Sequence, residues 1–81
     1  MSYSANIRDA RDDRLPMRRR ISHLRSCSNH MAEQYHVHRS VILEKIRIEA
    51  TYSDEDLPSI EAVMHAADLL DKIKRHGLHS V

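Results

Sequence analysis

The chain has 81 residues, with 13 Lys+Arg against 12 Asp+Glu, no Trp or Phe, one Cys and one Gly. A domain this small buries only about 60% of its unfolded surface, so it is marginal without a disulfide, a metal or a partner copy; one cysteine excludes an internal disulfide. A single glycine excludes a Gly-rich phosphate loop and a GxSxG nucleophile elbow, and no apolar run nears the ~20 residues that span a bilayer.

Charge is spread unevenly. Residues 1–39 carry eight Arg against Asp9, Asp12, Asp13 and Glu33, whereas residues 40–81 carry five bases against eight acids. The basic half suits a polyanion or the acidic half of another chain. Three Tyr are the only aromatics, so the core must come from aliphatic residues, Met and Ala. Such residues make thin helical seams, and the scarcity of Gly and Pro argues against an all-β fold. The fold class expected is all-α.

Residues 1–11 are polar and read as a flexible arm, with a single helical domain over 12–81. A basic helix is expected to start at Asp12 or Asp13, with Pro16 in its first turn and Met17, Ile21 and Leu24 at helical spacing. Ser26-Cys27-Ser28-Asn29 is a poor helix interior and reads as a break or a weak turn. Between Met31 and Thr51 there is no Gly, Pro, Asn or Asp. Ile46, Ile48, Ala50 and Tyr52 alternate as in a strand, but a strand about 20 residues long is improbable, so a helix is expected over about 30–51. Ser53-Asp54-Glu55-Asp56 then supplies cap candidates, and Ile60, Val63, Met64, Ala67, Leu70 and Ile73 form one apolar stripe. Lys72, Lys74, Arg75 and His76 suit the negative end of a helix over about 57–76, and Gly77 suits its C′ position.

The short connection 52–56 implies an antiparallel helical hairpin. Two helices leave apolar surface uncovered, so the hairpin is expected to dimerise into a four-helix bundle, with the N-terminal helix folding back as a third member as the alternative. The interface expected is Met31, Tyr35, Ile42 and Ile46 from the first helix, with Ile60, Val63, Met64, Ala67, Leu70 and Ile73 from the second.

Seven histidines raise the question of metal. Glu33–His36 is the one Glu-x-x-His pair, and Glu61–His65 has a different spacing. His36 and His38 fall on opposite sides of a helix, so no metal site and no cofactor site is read. Cys27, near His23 and Arg25, could be a low-pKa thiol, but it reads as an inert small residue. No catalytic residue is assigned and no enzyme activity or small-molecule substrate is expected. The densest feature is the arginine run. Arg14, Arg18, Arg19, Arg20 and Arg25 could contact several phosphates or an acidic partner, since guanidinium pairs with phosphate bidentately. No aromatic is interleaved for base stacking.

The sequence thus suggests a small regulatory or adaptor protein, a homo-oligomer that binds another macromolecule. A nucleic-acid binder using the arginine helix is the alternative, and a carboxylate–histidine metal protein a further one. Three acids near the start are foreign to a mitochondrial presequence, and the expected location is cytoplasmic.

Overall fold

The computed structural model describes residues 2–81, and every regular element in it is helical. Four helices, α1 (Tyr3–Ala10), α2 (Met17–Tyr35), α3 (Arg39–Ile46) and α4 (Ile60–His76), precede a 3-10 turn over Leu78–Ser80. No described residue lies in a strand.

The segment expected to be a flexible arm contains α1. The Ser2 hydroxyl accepts from the Ala5 N–H, and the Asn6 side chain donates to the Ser2 carbonyl, closing the first turn as N-caps do. Tyr3, Ile7 and Ala10 step by four and three, and Tyr3 and Ala10 are buried. Tyr3 Oη donates to Asp71 at 3.0 Å, while Arg11 reaches Asp71 at 2.8 Å and Asp68 at 2.9 Å. Burial, and then Asp71, push the Tyr3 phenol well above its ordinary value, so it stays a donor. The domain therefore takes in α1.

α2 starts at Met17 rather than at Asp12. Asp12 instead accepts from the Arg14 N–H in a local turn, and Pro16 keeps Leu15 out of helical conformation. The Ser26–Asn29 stretch does not break the helix. Ser28 turns its hydroxyl back to the Leu24 carbonyl at 2.9 Å, and Cys27 and Ser28 are fully buried. Cys27 lies where α1 crosses, its sulfur beside the Tyr3 carbonyl.

The helix expected over 30–51 is two helices with a turn at 36–38 between them. His36 takes the left-handed conformation (φ 56°, ψ 42°). Its N–H and that of Val37 return to the Glu33 and Ala32 carbonyls. This is the double bond of a Schellman ending, usually built on glycine. The same ending closes α3, with Arg47 at φ 62° and the Ile48 N–H on the Leu43 carbonyl. Ile48 and Leu43 are both buried, the apolar contact that accompanies the motif.

The antiparallel pairing expected with α4 is not found along α2. Arg20 meets Met64 and Tyr35 Oη donates to the Ile73 carbonyl at 3.1 Å, so α2 and α4 run in the same sense. Parallel neighbours need a crossover, and residues 47–59 provide it by returning along α2. α4 begins at Ile60 with Ser59 as N-cap, three residues later than expected. Its stripe is the core's spine. Val63, Ala67, Leu70 and Ile73 are fully buried, as is Ala66. They face Ile21, Leu24 and Met31 of α2 and Ile42 and Ile46 of α3.

Candidate nucleic-acid interface

The arginines singled out in the sequence are mostly engaged inside the molecule. Arg20 is 3% exposed. Its Nε donates to the Ala10 carbonyl at 2.9 Å, which places the cation at the negative end of the α1 dipole. Arg18 and Arg25, two turns apart on one face of α2, hold the crossover. Arg18 pairs with Asp54 and donates to the Tyr52 carbonyl, while Arg25 lies over the Tyr52 ring and donates to the Glu49 carbonyl. Arg14 grips Asp12 with two 3.0 Å hydrogen bonds. Those bonds, with the Arg14 backbone N–H, lower the Asp12 carboxyl to about 2. Only Arg19 of the five is exposed with no ion-pair or hydrogen-bond partner among the described residues. Arg20 is no surface cation at all. Of the arginines on α2, Arg18, Arg20 and Arg25 thus have oxygen partners within the fold, and Arg20 alone is buried.

The apolar interface expected between copies is likewise accounted for within one chain. Met31, Ile42, Ile46, Val63, Ala67, Leu70 and Ile73 are at most 2% exposed, so they have no surface to offer a second copy. Tyr35 and Met64 are half-buried, and Ile60 alone is exposed, at 58%.

The remaining candidates shrink in the same way. Among the described residues no group of three or more His, Cys, Asp and Glu is placed to hold a metal ion. The left-handed turn at His36 carries it away from the helix that would have paired it with Glu33. His23 is an α1–α2 strut, donating from Nδ1 to Asn6 Oδ1 at 2.8 Å with Nε2 3.8 Å from Asp9. Burial, then the Asp71 charge, push the Cys27 thiol up to about 12, the opposite of an activated nucleophile. An open cleft of about 350 Å³ between α1 and α2 is lined by polar groups including Ser22, Ser26 and Asn29. It lacks the apolar walls of small-molecule sites. No helix among the described residues is long and apolar enough to cross a membrane.

Among the surfaces the fold leaves exposed are the outer side of α3 and its two flanking turns. Ala32, Val37, Ile42 and Ile46 face the core or line it, and Ala32 offers little bulk where α3 turns away from α2. The other side of α3 is open. Ser40 and Glu44, one turn apart, are exposed on it, and Arg39 and Arg47 are exposed at the two ends of the helix. His38 caps the helix, its Nδ1 accepting from the Ser40 N–H at 3.1 Å. His36 and His38 are exposed just before α3. Lys45 lies to the other side, where its Nζ donates to the Val81 carbonyl at 3.1 Å. The result is a helix, a three-residue turn and a second helix with one exposed arginine at each end, Arg39 and Arg47.

No family model, curated protein or solved structure matches the chain. Sequence reasoning missed Arg39, Ser40, Glu44 and Arg47 because the turn before α3 holds no residue that ordinarily signals one. The usable signal was the core pattern, in which Ala32, Val37, Ile42 and Ile46 fit no single helical stripe.

Proposed function

We propose that the protein is a small regulatory protein that binds duplex DNA, laying α3 in the major groove as the second helix of a helix-turn-helix. The observation that carries this reading is the α2–turn–α3 unit. Its short turn, buried inner face and polar outer face match the way such motifs hold one helix free to enter a groove about 12 Å wide. Charge supports it too, since Arg39 and Arg47 stand at the two ends of α3, where phosphates would flank an inserted helix. The partner class is nucleic acid, as one reading of the sequence had it, but the surface is α3 rather than the arginines of α2. The wider reading, a regulatory protein acting on another macromolecule, contains this one. The homodimer enters in a new form: two chains on successive half-sites, about 34–36 Å apart, each contributing one α3.

The test is selection of bound sequences from a randomised duplex pool, followed by fluorescence anisotropy on the selected duplex at physiological salt. Submicromolar binding, at least tenfold tighter than to a scrambled duplex, is expected. Failure to bind any duplex more tightly than about 100 µM, the weak end of ordinary non-specific affinity, would discard the reading.

A further inference from the structure

Glu44 is the one acid on α3, and it is exposed one turn beyond the exposed Ser40, beside the left-handed turn at Arg47. Arg39, Lys45 and Arg47 lie around it in the chain, yet among the described residues its carboxylate has neither a hydrogen-bond nor an ion-pair partner. On the DNA-binding reading, which this inference rests on, that placement is costly by itself. Phosphates repel a carboxylate, and so do the acceptor edges N7, O6 and O4 that fill most of the major groove. The group is tolerated there only where a base presents a donor.

Two donors exist on the floor of the major groove, the amino groups of adenine and of cytosine. The adenine amino group lies between two acceptors, its own N7 and O4 of the paired thymine. The cytosine amino group has an acceptor on one side only, O6 of the paired guanine, and a C–H on the other. A carboxylate approaching cytosine therefore meets less repulsion for the same hydrogen bond. We propose that Glu44 is a specificity-determining residue of the α3 face, accepting from the N4 amino group of a cytosine and so fixing one C·G pair in the binding site.

The experiment compares the full-length wild type with Glu44→Gln and Glu44→Ala, each taken through duplex selection and then anisotropy on the selected site and its single-pair variants. Glu44 is exposed, so circular dichroism should give all three the same melting midpoint. The wild type should require one C·G pair and lose roughly tenfold or more in affinity when it is changed. Glu44→Gln should shift the preference at that pair towards adenine, because an amide can both donate to N7 and accept from N6. Glu44→Ala should lose discrimination there alone. In both variants the slope of log affinity against log salt should stay as in the wild type, because no phosphate contact is removed. Unchanged preference at every position in both variants overturns the assignment of Glu44 while leaving DNA binding intact. Absence of duplex binding by the wild type overturns both.

Discussion

Three helices close on residues with positive φ: His36, Arg47 and Gly77. Only the last is glycine, and a Cβ there would meet nothing within 4 Å, so Gly77 is needed for its φ of 99° rather than for space. At His36 and Arg47 an L side chain sits in the left-handed region, at a cost of roughly 1–2 kcal/mol set by contact between Cβ and the following carbonyl. Each side chain is exposed and forms no hydrogen bond or ion pair among the described residues that would offset the strain. Such strain gathers at functional positions, and both residues flank α3. Single substitutions His36→Gly and Arg47→Gly are expected to stabilise the fold by about 0.5–1 kcal/mol each. That is a rise of several degrees in melting midpoint at roughly 4–8 °C per kcal/mol for a chain this size. Arg47→Gly should at the same time weaken duplex binding. Calorimetry checks the first effect, and a lowered midpoint would mean the side chains hold the turns more than they strain them.

At the scale of elements, α1 shows how a helix can escape notice. Its apolar residues are few, but Tyr3, Ile7 and Ala10 keep helical spacing, and Ser2 is a good N-cap. What the sequence does not display is the tertiary contacts that stabilise so short a helix, since eight residues are marginal alone. Those contacts are the Tyr3 and Arg11 bonds to Asp71 and the Arg20 bond to the Ala10 carbonyl. α4 was legible because its stripe and terminal glycine agree within one segment, although its N-cap is Ser59 rather than one of the candidates at 53–56. Removal of residues 2–11 is therefore expected to destabilise the protein by more than ~2 kcal/mol, the order of one or two buried side chains, and to uncover Cys27. In the intact chain at pH 8 the thiol is buried and its pKa is about 12, so a thiol reagent should react only on unfolding. In the truncated chain it should react under native conditions. Urea titration together with thiol labelling makes the measurement, and an unchanged midpoint with a silent thiol would show α1 to be dispensable.

At the scale of the whole molecule, the composition led correctly to helices and an aliphatic core but not to their arrangement. The stripe residues Val63, Ala67, Leu70 and Ile73 do form a seam. That seam is closed by α1, α2 and α3 of the same chain, with α2 folding back on it, as the alternative to a second copy had it, and α1 as the element the sequence did not display. The direction of α2 against α4 depends on how residues 47–59 travel, and that path is set by Arg18 and Arg25, whose spacing gave no hint of their partners. The same arginines separate the two nucleic-acid readings. If α3 is the binding element, Arg39→Ala and Arg47→Ala should each reduce the slope of log affinity against log salt by roughly 0.9 per lost phosphate contact, with Arg39→Ala leaving the melting midpoint unchanged. Replacement of Arg18, Arg19 and Arg20 together by Ala should act in the opposite way. It leaves the Ala10 carbonyl without its buried donor and frees the crossover at Tyr52 and Asp54, which should lower stability by a few kcal/mol, as loss of a buried charged hydrogen bond does. Arg19→Ala alone should leave the fold intact and lower the slope by no more than one contact. The measurement is anisotropy across a salt series, paired with thermal melts of every variant. A triple variant that melts like the wild type but loses about three contacts' worth of slope would return the interface to α2 and take it away from α3.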